Sequence, residues 1–284
     1  VQSFADDEYT FANLECTFSD RSLSPVGYPT FYFRAPTSYV NILLEGGVDF
    51  VTTANNHLND FGDKGVEDTY ATLDNAGLPY GKVGQAQVVT TKNGIKIGIY
   101  CGFNINDGYF VPTTDECVNA INQMKADGAE YIVMAFHWGK ELYYKPTQKM
   151  IDLAQACIDA GADLIYGTHP HVLGPIVEYN GGIIMYSVGN WSFGGNTQPT
   201  DQDTAIIQVT IKRDVDGSIT TEGYDAIPCC VSSNMSGGVG YNDYKPTPYP
   251  EDNEGYKRVL SKLDMNSGWE NANKDYSAWY SAWG

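Results

Sequence analysis

Three stretches of the chain share one order of polar and apolar positions: an amphipathic run that ends near glycine, a short apolar run, and then a histidine. In the first, Ser38 to Gly47 leads into Val48-Asp49-Phe50-Val51-Thr52-Thr53 and then Ala54-Asn55-Asn56-His57. The second runs from Thr114 to Asp127, closes at Gly128, and continues through Tyr131 to Phe136 into His137-Trp138-Gly139. The third runs from Thr147 to Ala160, closes at Gly161, and passes through Asp163 to Tyr166 into Gly167-Thr168-His169-Pro170-His171. An amphipathic run closed by glycine predicts a helix. A short segment that is apolar on both faces predicts a strand of a parallel sheet covered on each side. The expected class is therefore α/β. Tyr9 to Leu14 reads as a further strand, ending at Glu15, and Lys64 to Ala76 as a helix capped by Gly77. Ile95 to Tyr100 reads as another buried strand.

After His171 the pattern changes. Ile176 to Tyr179, Gly182 to Val188, Thr204 to Lys212 and Ser218 to Tyr224 predict strands joined by turn signals such as Asn180-Gly181-Gly182 and Asp216-Gly217. The expectation is an antiparallel second sheet packed on the first. Residues 232 to 255 read as loop, and Tyr256 to Leu263 as a helix. An aromatic tail follows (Trp269, Tyr276, Trp279, Tyr280, Trp283), expected to dock on the body.

Composition narrows the function. Of 284 residues 42% are hydrophobic, enough to bury a core. With 17 Lys and Arg against 35 Asp and Glu the net charge is −18, which excludes a sequence-independent grip on nucleic acid or on anionic membrane. No window holds the ~18 consecutive apolar residues of a membrane span. The chain opens at Val1 without a basic-then-apolar leader, so it is expected to be a trimmed piece of a longer precursor. Six cysteines without C-x-x-C spacing read as small buried apolar residues, with Cys229 and Cys230 as alternating strand positions.

In open α/β sheets ligands bind beyond the carboxyl ends of the strands, and all four histidines fall there. His169 and His171, two apart in an extended loop, can turn both rings toward one ion. The rim as a whole offers Glu15, Asn56, His57, His137, His169 and His171, a set of imidazole, carboxylate and amide oxygen that suits divalent zinc, manganese or iron. One or two ions are expected. A two-metal centre would present a hydroxide to a phosphoryl or acyl centre, with a remaining histidine as general acid. Singly, His57 also reads as a capping residue and His137 as a packed core histidine; their joint placement is what points to metal. Asp60 and Glu141 follow histidines by three and four residues, so each either orients an imidazole or starts a solvated helix.

These residues fall in motifs that resemble the CapA-like bacterial capsule synthesis proteins associated with poly-γ-glutamate. Asn13-Leu14-Glu15 resembles the family's N-L-E. Thr53-Ala54-Asn55-Asn56-His57 with Asp60, Gly62 and Gly65 resembles A-N-N-H-x-x-D-x-G-x-x-G. His137-Trp138-Gly139 with Glu141 resembles H-W-G-x-E, and Gly167 to His171 resembles G-x-H-P-H. Tyr186 to Asn190 followed by Phe193 resembles Y-S-L-G-N-F-x-F. The resemblance covers residues 9 to 230.

What it implies is a two-sheet α-β-β-α sandwich of the calcineurin-like, metallo-dependent phosphatase type over residues 1–230. Residues 231–284 would pack on the same domain as loop, helix and tail. Glu15, Asn56, His137, His169 and His171 are implied as metal ligands, and His57 as the histidine that assists the leaving group, with Asp60 and Glu141 beside the chemistry. Asn55, Arg34, Trp138 and Asn190 are the expected substrate contacts. Family members begin with a strand ending in Gly-Asp whose aspartate binds metal, and no counterpart precedes Phe4 here. The implied location is extracellular, at the cell surface, with any membrane attachment through an anchor outside this chain. The expected partner is an anionic polymer, poly-γ-glutamate or a related envelope polymer, with Lys140, Lys145, Lys149 and Arg34 offsetting the net charge locally. A metal-dependent hydrolase is the leading expectation. A non-catalytic polymer-binding or assembly protein, and a phosphoesterase for a small phosphate ester, are the alternatives.

Overall fold

Parallel pairing begins where the sequence places its apolar runs. The computed structural model describes residues 4, 6–27, 31–105, 112–194, 197–236 and 241–269, the side chains of 104 and 105 apart. It divides into two units, Val1–His137 and Trp138–Gly284. The class is mixed α/β with several sheets.

In the first unit β1 (Phe11–Asn13) pairs in parallel with β4 (Phe50–Thr52), which pairs in parallel with β5 (Tyr80–Gly81). A short parallel pair, β2 (Thr17–Phe18) with β3 (Arg34–Ala35), lies beyond β1 in the chain. Helix α1 (Val40–Glu45) precedes β4, and α2 (Gly62–Ala76) follows it, closed by Gly77 in the left-handed region at φ 66°. Leu14, Phe18, Val40, Val51, Leu73 and Leu78 from these elements form one apolar cluster. The sequence pattern does not show β6 (Ala86–Thr90), which pairs antiparallel with β7 (Lys96–Ile105). Its residues are exposed or half-buried, so no apolar run marks it. Gly81 has a packing reason: a Cβ there would lie 2.2 Å from the Sγ of Cys101 on β7.

Helix α3 (Thr114–Ala126) opens with a reciprocal cap, in which the Glu116 amide donates to the Thr113 hydroxyl (3.2 Å) and the Thr113 amide to the Glu116 carboxylate (2.7 Å). It leads to β8 (Tyr131–Gly139), which flanks β7. His137 is thus inside a buried strand, at 1% exposure, two residues before the strand's end.

In the second unit α4 (Gln148–Asp159) leads into β9 (Leu164–Thr168). The hairpin β10 (Ile176–Tyr179) and β11 (Gly182–Met185) follows. β11 pairs in parallel with β9, which corrects the expectation that Gly182 to Val188 joins an antiparallel second sheet. All four of its residues are buried, as a strand covered on both faces requires. Gly167 permits the close approach, since a Cβ there would lie 2.3 Å from the Tyr186 carbonyl. The antiparallel sheet of this unit consists of β12 (Asp203–Arg213), β13 (Ile219–Cys230) and β14 (Thr247–Pro248), the last within a segment read as loop.

Helix α5 (Glu254–Leu263) lies on β12 and β13, and beside the buried Val259 and Leu263 it carries an ionic cluster. Arg258 donates twice to Asp203 at 2.6 Å, while Lys262 donates to Asp201 at 2.7 Å and to Asp203 at 2.6 Å. Tyr249 and Tyr144 complete the shell with hydrogen bonds to Asp203 and Asp201. Trp269 sits beside it, 4.8 Å from the Lys262 ammonium. Tyr276, Trp279, Tyr280 and Trp283 lie outside the described residues. Among the described residues the six cysteines form no disulfide, and five of them are buried, as the composition suggests. Among the described residues no helix is long and apolar enough to cross a membrane.

Candidate metal centre and its surroundings

Glu15 owes its place to the end of β1. The Leu14 amide donates to the Thr52 carbonyl (2.9 Å), which extends the pairing with β4 by one residue. Asn13 and Glu15, two apart on an extended chain, share a side, and the Asn13 amide donates to Glu15 Oε2 at 2.9 Å. Asn55 ties this strand to the turn after β4, donating to Asn13 Oδ1 (3.1 Å) and the Leu14 carbonyl (2.8 Å) while its own Oδ1 accepts from the His57 amide (3.0 Å). That network leaves Asn56 facing His137, whose Nε2 is 2.7 Å from Asn56 Oδ1 and 3.7 Å from Glu15 Oε1. A carboxylate oxygen, an amide oxygen and an imidazole nitrogen therefore converge in the first unit. Once the Nε2 proton that bonds Asn56 Oδ1 is released, this donor set is one that zinc, manganese and ferrous iron accept.

His57 is held differently. Its Nδ1 lies 2.9 Å from Asp60 Oδ2, and Asp60 is 6% exposed rather than at a solvated helix start. A carboxylate only accepts, so Nδ1 carries the proton and Nε2 is the nitrogen that remains for chemistry. The Phe33 ring packs on the imidazole with centroids 4.4 Å apart, a neighbour that no sequence motif announces. Cys16, next to Glu15, is not a competing ligand: burial first, then the charges of Glu15 and Asp60, push its thiol up to about 12, so it stays protonated at neutral pH.

In the second unit His169 and His171 follow β9 directly, both with positive φ (97° and 57°). Such backbone is costly for residues other than glycine, and the loop is pinned by the strand end at 186–189. The Ser187 hydroxyl donates to the Val172 carbonyl (2.6 Å), and the Gly174 and Val188 amides donate to the Ser187 and Gly167 carbonyls. The two histidines present ring nitrogens within 4.8 Å of each other, both rings buried. His171 Nδ1 donates to Asn190 Oδ1 at 2.8 Å, which fixes the tautomer and leaves Nε2 as a lone-pair donor. Phe193 packs on the same ring at 4.9 Å.

Other expected site residues fall elsewhere. Trp138, expected as a substrate contact, is 1% exposed, stacks on Tyr186 and donates its indole N–H to the Tyr186 carbonyl (2.9 Å), which anchors it in the core. Asn55 spends its amide and its carbonyl on the bonds described above and is likewise structural. Glu141 is half-buried and forms no hydrogen bond with His169 or His171 among the described residues. Arg34 is exposed, with Nη1 on the Arg21 carbonyl (2.9 Å) and its guanidinium over the Phe61 ring at 5.0 Å. Lys140 lies beside the Tyr143 ring.

Known proteins are similar to this chain. The chain is 27% identical over 293 residues to the PGA biosynthesis protein CapA of Bacillus subtilis, covering 94% of this chain and 71% of that protein. It is 31% identical over 201 residues to the capsule biosynthesis protein CapA of Bacillus anthracis, covering 64% of this chain and 48% of that one. Among solved structures, a hypothetical protein from Thermus thermophilus shares the fold, with a TM-score of 0.52 at 14% identity over 80% of this chain and 90% of that chain. Residues 2–194 match the family described as bacterial capsule synthesis protein PGA_cap, and the chain belongs to that family.

Proposed function

We propose that this protein acts at the cell surface on poly-γ-glutamate or a related envelope polymer, as a metal-dependent hydrolase. The convergence of Glu15 Oε1, Asn56 Oδ1 and His137 Nε2 carries the reading. Those three atoms would serve as ligands for divalent metal, and within the second unit the imidazoles of His169 and His171 are a metal-donor pair of their own. Bound metal would supply Lewis acidity toward the scissile carbonyl. The chain's own residues supply the rest. Asp60 fixes the proton of His57 on Nδ1, so that protonated His57 offers its Nε2–H to a departing amine. Arg34, exposed on β3, offers guanidinium donors to polymer carboxylates. The relatives named for capsule and PGA biosynthesis support the polymer as substrate class.

The test is release of glutamate oligomers from poly-γ-glutamate with manganese, zinc or iron added, and again with chelator. Turnover that chelator abolishes and Glu15→Gln or His137→Ala removes is the expected result. Polymer binding without turnover under every metal would replace the hydrolase with a binding protein. Turnover of an aryl phosphate alone would replace the polymer with a phosphate ester. Protease shaving of intact cells that spares the protein would contradict the surface location.

A further inference from the structure

We infer that Phe33 is a positioning residue for His57, acting through both its ring and its main chain; the inference rests on the reading of His57 as the proton donor proposed above. The segment that carries Phe33 is tied to the histidine turn at two levels. Its backbone N–H donates to Asp60 Oδ2 at 2.6 Å, the same oxygen that accepts from His57 Nδ1 at 2.9 Å. Its ring lies 4.4 Å from the imidazole centroid at an interplanar angle of 60°. One carboxylate oxygen is thus shared by the strap and the imidazole, and the aromatic wall limits rotation of the ring about its side-chain torsion.

Thr17 fixes strap and turn to a common point. The Thr17 amide donates to the Phe33 carbonyl (3.0 Å), and the Thr17 hydroxyl bonds to the carbonyls of His57 (3.3 Å) and Leu58 (3.1 Å). On either side of Phe33 the chain faces the other way: Tyr32 meets Phe61 edge-on at 5.9 Å, and Arg34 lies over the same ring at 5.0 Å. The alternation of an extended segment therefore puts one aromatic on the imidazole and two residues on Phe61. Tyr32 is 53% exposed, so a polymer chain meeting Tyr32 and Arg34 would press on the element that orients His57.

The experiment compares the whole chain with its Phe33→Ala and Phe33→Tyr variants by two readouts. The first is the His57 imidazole followed by proton–nitrogen NMR. The wild type should show one tautomer with a protected Nδ1–H. F33A should mix tautomers and speed exchange of that proton at least about tenfold, and F33Y should restore it. The second readout is turnover with metal present, where F33A should lower kcat by about 10- to 100-fold at steady KM. Should F33A fail to fold, Phe33→Leu removes the ring while keeping bulk. A wild-type tautomer and exchange rate in F33A or F33L would overturn the inference. A wild type that turns over nothing would overturn the hydrolase reading alone, since the imidazole signal still decides the role of Phe33.

Discussion

Two of the polar clusters among the described residues, one from each unit, are built on opposite principles. In the second unit two carboxylates, Asp201 and Asp203, meet two cations, Lys262 and Arg258, at 2.6 to 2.7 Å. The charges sum to zero and the oxygens are shared out among ammonium, guanidinium and tyrosine donors. In the first unit a carboxylate, an amide oxygen and an imidazole nitrogen converge instead. A cluster that carries its own cations is finished by folding; one that gathers metal-donor atoms is suited to a cation from outside. A carboxylate thus serves a fastener in one unit and a candidate ligand site in the other.

Breaking the fastener should give the largest effect. Lys262→Met leaves Asp201 and Asp203 with one cation between them, in a place where Lys262 and Asp203 are at most 2% exposed. The expected loss is about 3–5 kcal/mol, read as a fall in the urea midpoint. Its pH signature has a definite sign. Burial works to raise the Asp203 carboxyl, but the hydrogen bonds of Arg258 and the charge of Lys262 outweigh it and hold it below its ordinary 3.8. The stabilisation is therefore complete above pH 3.8 and is lost as pH falls below that value through the lower folded one. A denaturation series over that range should show the steepest loss in the wild type and a shallower one in K262M.

Next in size is the ligand cluster. Asn13→Ala removes the donor that orients Glu15 and should weaken metal binding by about 10- to 100-fold, measured by calorimetric titration, with little change in the urea midpoint. That split, affinity lost and stability kept, is the inverse of what K262M should show. Smallest is Thr113→Ala, which unmakes the reciprocal cap of α3 and should cost about 1 kcal/mol without touching metal affinity. Equal losses of stability and affinity in any of these variants would erase the distinction between the two clusters.

The sequence made the strands legible where burial on both faces left an unbroken apolar run, as at Tyr131 to Phe136, and the helices where glycine closed an amphipathic stretch, as at Gly77. β6 escaped because its half-exposed positions carry no such run. The parallel partner of β11 escaped because partner choice is tertiary. Of the site, Glu15, Asn56 and His137 were readable from motif and position at strand ends. That Trp138 packs on Tyr186 while its neighbour His137 meets Asn56 follows from strand alternation, because β8 continues to Gly139. The bond between His57 and Asp60 was readable from spacing, but Phe33, 24 residues upstream, carried no signal at all. The ionic fastener was equally hidden, since Asp201 and Lys262 meet across 61 residues of chain.

The claim that the first-unit cluster is a metal centre meets its most direct test in elemental analysis of the purified chain after equilibration with manganese or zinc. The wild type should retain stoichiometric metal; Glu15→Gln should lose it while keeping the unfolding free energy to within about 1 kcal/mol, and His137→Ala should lose it as well. A wild type that retains no metal, or variants that retain it undiminished, would contradict the account.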